Sequence, residues 1–233
     1  MTEHKPMIQC TNLKKIYNKG KTNELEALND VTCEIRSGEL VAIMGKSGCG
    51  KSTFLHILGC LDTFDGREYL LDGKKMGATG DQVMARIRNE QIGIVLQDFA
   101  LVEEFTAMEN VLLPLDFSRR KIPEKKKLAK EALEKVEMGM CLDQVTGTMS
   151  GGQKQRVAIA RAIVNHPKVL LADEPTGALD THTSDGIMEL FEKLNKMGMT
   201  IVIVTHDPQI AARCGRIMEM KDGCIENMRD AAG

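Results

Sequence analysis

Short apolar runs that end on a glycine or a polar residue recur along the chain, and stretches of helical periodicity separate them. LVAIM at 40–44, VLLA at 169–172 and IVIV at 201–204 are apolar at every position. That pattern predicts strands buried on both faces of a parallel sheet, and IGIVLQ at 92–97 reads as another strand of the same kind. STFLHILGCL (52–61), SDGIMELFEKLNKMG (184–198) and DPQIAARC (207–214) carry apolar residues at helical spacing and predict helices. The first third is richer in strands, with strand-like runs at MIQCTNLKKIY (7–17) and DVTCEI (30–35). REYLLDGKK (67–75) reads as a hairpin arm ending in a glycine turn. From about 99 to 148 the pattern turns helical. In PEKKKLAKEALEKVEM, Leu128, Ala132, Leu133 and Val136 form one stripe, which leaves the lysines at 125–127 on a solvated face. The alternation predicts an α/β fold with a mostly parallel, doubly covered sheet and a helical insert between about 98 and 150.

Chemistry concentrates where the apolar runs stop. Gly45, Lys46, Ser47, Gly48, Cys49, Gly50, Lys51, Ser52 and Thr53 contain G-x-x-x-x-G-K-[ST] directly after one predicted strand and directly before a predicted helix. Loop amides and a helix N-terminus make a fixed anion site; Lys51 can reach β- and γ-phosphates, and Ser52 can ligate Mg²⁺. VLLADEP ends in Asp173, a carboxylate at a strand tip suited to bind Mg²⁺ through water. Glu174 follows, placed to polarise an attacking water. IVIVTHD delivers Thr205 and His206 at another strand end, where parallel sheets bind ligands. Gln97 closes a further strand and is a candidate ligand to Mg²⁺ or the attacking water. MSGGQKQR, at 149–156, sets a serine and a bare glycine pair before a helix. Ser150 can cap that helix.

Composition narrows the classes. The 233 residues carry 31 Lys and Arg against 33 Asp and Glu, which leaves no global basic footprint and argues against a nucleic-acid partner. Seven cysteines without a CxxC pair point to reduced thiols rather than a zinc site or disulfide framework. MTEHKPMIQC lacks the apolar core of a signal peptide, and the apolar runs are too short to cross a bilayer. These features predict a cytoplasmic chain. A GTPase is excluded by the lack of an N/T-K-x-D base-reading motif.

In this order, the residues resemble the nucleotide-binding subunits of ABC transporters over nearly the whole chain. The resemblance implies one ABC ATP-binding domain with a P-loop NTPase core: 1–97 and 151–233 would form the α/β core with an N-terminal antiparallel β-subdomain, and 98–150 an inserted α-helical subdomain. It implies ATP and Mg²⁺ as ligands and two copies of the chain sandwiching two ATP molecules. Tyr17 would stack on adenine. Ser150, Gly151, Gly152 and Gln153 would grip the γ-phosphate of ATP held by the other copy, the glycines allowing close approach. Ser52 and Gln97 would hold Mg²⁺ with Asp173 acting through water; Glu174 would be the general base, and His206 and Lys51 would hold the γ-phosphate. Ala178, Leu179 and Asp180 would form the loop after the Mg²⁺ strand. By this arrangement Cys49 of one copy would approach Met149 of the other. An integral membrane permease would recruit the chain to the inner face of the cell membrane through residues 98–110 and the helical insert.

EPTGALDT and ENVLLPL look most like a subgroup of macrolide-export, lipoprotein-releasing and bacitracin-type peptide-resistance ATPases. Met149 replaces the usual leucine before the signature serine, a volume-conserving swap, and QDFAL lacks the polar residue common after the phenylalanine. The implied function is powering export or resistance; the alternative is a non-transport mechanotransmission complex such as control of cell-wall hydrolysis in division. Translation factors with two cassettes and repair proteins with long coiled-coil or zinc inserts do not match this chain.

Overall fold

Residues 6–77 and 80–231 are described by the structure, a computed structural model; the first half of MTEHKPMIQC lies outside them. The chain opens with two long strands, β1 (Pro6–Tyr17) and β2 (Leu25–Arg36), then the short β3 (Leu40–Met44) and α1 (Lys51–Leu58). Next come β4 (Asp65–Leu71), β5 (Lys74–Lys75), α2 (Asp81–Gln91), β6 (Ile92–Val95), α3 (Ala107–Asp116) and α4 (Lys125–Lys135). The last third runs α5 (Gly151–Ile163), β7 (Val169–Asp173), α6 (Thr181–Lys196), β8 (Thr200–Thr205), α7 (Pro208–Ala212), β9 (Arg216–Lys221) and β10 (Cys224–Asp230).

The strands form two sheets, a six-stranded one ordered β10-β9-β3-β8-β7-β6 and a four-stranded one ordered β2-β1-β4-β5. In the larger sheet β9, β3, β8, β7 and β6 run parallel, and only β10 pairs antiparallel at the edge. The smaller sheet is antiparallel throughout.

The all-apolar strands are explained by the two cores they serve. Leu40 and Ala42 of β3, Leu170 and Ala172 of β7, and Ile201 and Ile203 of β8 face one core with α5 and α6. Their neighbours Val41, Ile43, Val169, Leu171, Val202 and Val204 face a second core with α1 and the antiparallel sheet. Successive side chains on a strand point to opposite faces. Each full burial is worth about 1.5–3 kcal/mol, so neither face tolerates a polar residue.

The turn expected in REYLLDGKK is Asp72–Gly73, with φ of 48° and 73°. Both positive values suit the tight primed turns that match the strand twist. In α4 the buried stripe is Ala129, Ala132 and Leu133, continued by Val136, and Leu128 is half-buried against it. Lys126 and Lys127 are exposed. Two elements lie outside the sequence reading, α2 and the β9–β10 hairpin. No residue of α2 is fully buried; Met84 and Ile87 lie half-buried against the second core, too slight a stripe for periodicity to reveal.

Candidate nucleotide-binding site

Adjacent strands bring the motif residues to one edge of the parallel sheet. Met44 of β3 is level with Thr205 of β8, and Asp173 of β7 is level with Val204, so the three following loops emerge side by side. Above them lies a cleft of about 870 Å³ whose lining includes Tyr17, Ser47, Gly48, Gly50, Lys51, Ser52, Thr53, Gln97, Glu174 and His206. Gly50 caps α1 with φ of 102°, and a Cβ there would lie 2.5 Å from the Ala27 carbonyl oxygen. Only glycine fits that turn. Lys51 is 8% exposed and curls under the loop, donating to the carbonyls of Gly45 (2.7 Å) and Lys46 (3.0 Å).

Ser52 Oγ stands 3.4 Å from Asp173 Oδ1. Burial pushes the Asp173 carboxyl up, opposed by the Ser52 hydrogen bond and by the nearby His56 and Lys51. A cation beside this carboxylate would relieve the desolvation. The donor set of hydroxyl, amide and carboxylate oxygens fits a hard ion such as Mg²⁺. Among the described residues no group of three or more His, Cys, Asp or Glu could hold a metal unaided. That too fits Mg²⁺, which is commonly held by one or two carboxylates together with substrate phosphates.

Glu174 occupies the left-handed region, φ 45°, and is fixed by its amide donating to the Val204 carbonyl (3.0 Å) and its carbonyl accepting from Gly177 (3.0 Å). Its side chain, 16% exposed, meets His206 Nδ1 at 2.7 Å, and Thr205 Oγ1 donates to its other oxygen at 3.4 Å. The two groups expected to act on water and on the γ-phosphate are thus partners of each other. With a carboxylate as acceptor, the imidazole carries its proton on Nδ1.

At the other end of the helical segment, Ser150 caps α5 in a full capping box: Gln153 N donates to Ser150 Oγ (3.3 Å) and Ser150 N to Gln153 Oε1 (3.0 Å). Its two glycines have work inside the chain. A Cβ on Gly152 would sit 2.5 Å from Thr183 Cγ2, and one on Gly151 would sit 3.1 Å from Leu179 Cδ2. Asp180 Oδ2 accepts from Thr183 Oγ1 at 2.6 Å, which fixes the threonine rotamer with its methyl toward the helix. Ser150, Gly151, Gly152 and Gln153 do not line the cleft.

Cys49 and Met149, expected to approach each other across two copies, both turn their side chains into their own chain. Cys49 is 8% exposed with its sulfur against Gly45, and Met149 is 7% exposed within the α5–α6 core. Neither side chain is free to meet a second copy.

Arg161 is a residue that sequence reasoning passed over. From α5 it donates to the carbonyls of Phe99 (2.8 Å) and Ala100 (2.5 Å), consecutive residues with φ of 62° and 46° just after Gln97. Burial lowers its guanidinium pKa, and Asp98 nearby opposes that. The signal was a cation inside the apolar helix VAIARAIV, where a charge needs partners.

Residues 28–177 match the family model of the ABC transporter. The chain is 48% identical to YknY of Bacillus subtilis (strain 168), described as an uncharacterized ABC transporter ATP-binding protein, over 94% of this chain and 95% of that protein. It is 41% identical to the macrolide export ATP-binding/permease protein MacB of Brucella melitensis over 94% of this chain, which spans 34% of that longer protein. A solved dimeric structure of the ATP-binding cassette MJ0796, in a post-hydrolysis state with ADP and Pi, superimposes with a TM-score of 0.88 at 43% identity, covering 97% of this chain and all of that one. With the P-loop, Asp173, Glu174 and His206 all at one sheet edge, the chain belongs to the ABC transporter family, as an ATP-binding, ATP-hydrolysing cassette.

Proposed function

We propose that this cassette powers export through a membrane permease lying outside its 233 residues, and that two copies of it enclose two ATP molecules. The observation that carries the pairing is the position of the signature serine: Ser150 is exposed and outside the cleft that holds the P-loop, so one chain presents two half-sites on separate surfaces. Relatives that include macrolide-export proteins support the transport direction. Residues 98–150 act as a helical subdomain that carries the signature to the second copy. In each cleft Lys51 and the P-loop amides hold the phosphates, His206 contacts the γ-phosphate, and Glu174 takes the proton of the attacking water. Ser52 and Gln97, with Asp173 through water, would hold Mg²⁺, which when bound neutralises phosphate charge and aligns it for in-line attack.

Ser47 suits a cross-linking probe because it is exposed on the P-loop, whereas Cys49 is buried. Five of the seven thiols are buried, leaving Cys141 and Cys224 partly accessible. Ser47→Cys combined with Ser150→Cys, with Cys141 and Cys224 replaced by serine, should give a covalent dimer under mild oxidation with ATP. Cross-linking inside one chain would overturn the two-copy site.

On the expected permease surface, residues 98–110 and the helical insert, a groove of about 410 Å³ is lined by Leu113, Pro114 and Phe117 of the insert together with Leu61, Arg88 and Asn165. Leu61 is 50% and Phe117 79% exposed. The VLLPL run serves two purposes: Val111 and Leu115 are core, and Leu113 and Pro114 line the groove. Glu103 is a poor probe of coupling, because it pairs with Lys154 of the signature helix at 2.8 Å. Phe117→Asp and Glu104→Lys should abolish permease-dependent activity and leave the isolated ATPase within about twofold of wild type, since surface changes cost about 0.5 kcal/mol or less. Loss of basal turnover would make the groove part of the fold rather than a docking surface.

A further inference from the structure

Lys15 is a lysine with 7% exposure two residues before Tyr17 on β1, on the same face of the strand. Its ammonium donates to Asp62 Oδ1 (2.7 Å), the Thr63 carbonyl (2.8 Å) and Thr63 Oγ1 (3.2 Å), and stands 4.8 Å from the centroid of the Tyr17 ring. The Tyr17 hydroxyl donates to the second oxygen of the same carboxylate, Asp62 Oδ2, at 2.7 Å. It also shares a hydrogen bond with Thr53 on the P-loop helix. Burial alone would raise the Asp62 carboxyl, but hydrogen bonds from Lys15, Tyr17 and Thr63 outweigh it and hold the group below its ordinary range.

We propose that Lys15 and Asp62 are positioning residues that lock the ring of Tyr17 at the mouth of the cleft, leaving one of its faces for the base of the nucleotide. The inference deepens the reading of this cleft as an ATP site with Tyr17 under the base. Both ends of the ring are constrained: the hydroxyl by Asp62 and Thr53, and one face by the ammonium. A base can then stack without first immobilising a free side chain, which removes an ordering cost from binding. The ammonium also draws on the ring's π density from behind, easing the approach of a second π face in front.

The interaction belongs to binding and not to the chemical step, so its loss should raise KM and spare kcat. In the full-length chain, Asp62→Asn should raise the KM for ATP by about tenfold with kcat little changed. The inhibition constant of inorganic tripolyphosphate, which has phosphates and no base, should stay at the wild-type value. A general distortion of the P-loop would instead raise both in step, and that result overturns the proposal. The chain has two tyrosines and no tryptophan. Tyr69 is fully buried, its hydroxyl donating to the Leu58 carbonyl at 2.8 Å, so alkaline absorbance titration reads Tyr17. Burial first, and then the bond to Asp62, raise the Tyr17 phenol, so Asp62→Asn should bring its titration down; an unmoved titration overturns the proposal. Tyr17→Phe keeps the ring, loses the anchor, and should raise KM without adding to Asp62→Asn. It also serves as the test if Asp62→Asn fails to fold. Tyr17→Ala separates the two layers of the argument. If it leaves KM unchanged, the stacking reading fails and this inference with it; if it raises KM while Asp62→Asn and Tyr17→Phe do not, only the positioning role fails.

Discussion

Glu174→Gln is expected to bind ATP as the wild type does and to lose the chemical step. The backbone holds Glu174 in a left-handed conformation between the Val204 carbonyl and the Gly177 amide, so an isosteric amide inherits the same position. Gln Oε1 can still accept from His206 Nδ1, and the cleft keeps its shape. The lost property is proton acceptance, and a positioned general base is worth about 10²–10⁴ in rate. Turnover should fall by that factor with the Kd for ATP unchanged. The pair of copies should then persist with ATP and Mg²⁺ long enough to elute as a dimer in size-exclusion chromatography. Near-wild-type hydrolysis would remove Glu174 from the general-base role.

Why the sequence reveals Glu174 but not its bond to His206 is a matter of separation along the chain. The P-loop and the strand tips are contiguous patterns with fixed spacing, so strand, turn and helix can be read from neighbouring residues. Glu174 and His206 are 32 positions apart and meet because β7 and β8 are adjacent in the sheet, an order the sequence does not display. The same holds for Thr183 against Gly152 and for Arg161 beneath Phe99 and Ala100. In these cases residue type signals a demand, for a small neighbour or a charge partner, and only the fold supplies the partner. Core strands were legible because both faces are apolar; α2 was not, because none of its residues is fully buried. The burial of Cys49 and Met149 was hidden for a further reason. Position in a glycine-rich motif says nothing about where a neighbouring side chain points.

Lys51→Ala should remove turnover and weaken ATP binding together, and the structure adds a loss of stability to that expectation. The ammonium is 8% exposed and spans the loop, bonded to the Gly45 and Lys46 carbonyls. It therefore shapes the P-loop, and in the proposed site it would also supply positive charge to the phosphates. A hydrogen bond to a charged group is worth about 1.5–3 kcal/mol, so losing one phosphate contact alone lowers affinity by roughly ten- to a hundredfold. The two carbonyls lose their donor as well, so the variant should melt below the wild type by calorimetry without nucleotide. Lys51→Arg separates the two roles. It keeps the charge, so affinity should fall less than in Lys51→Ala, but a planar fork cannot take the place of a compact ammonium between the two carbonyls. Turnover should remain lost, because the loop no longer holds the γ-phosphate in line with the water that Glu174 activates. Fluorescent-nucleotide titration and steady-state hydrolysis of both variants read these effects independently. Wild-type affinity and turnover in Lys51→Ala would place the phosphates elsewhere in the cleft.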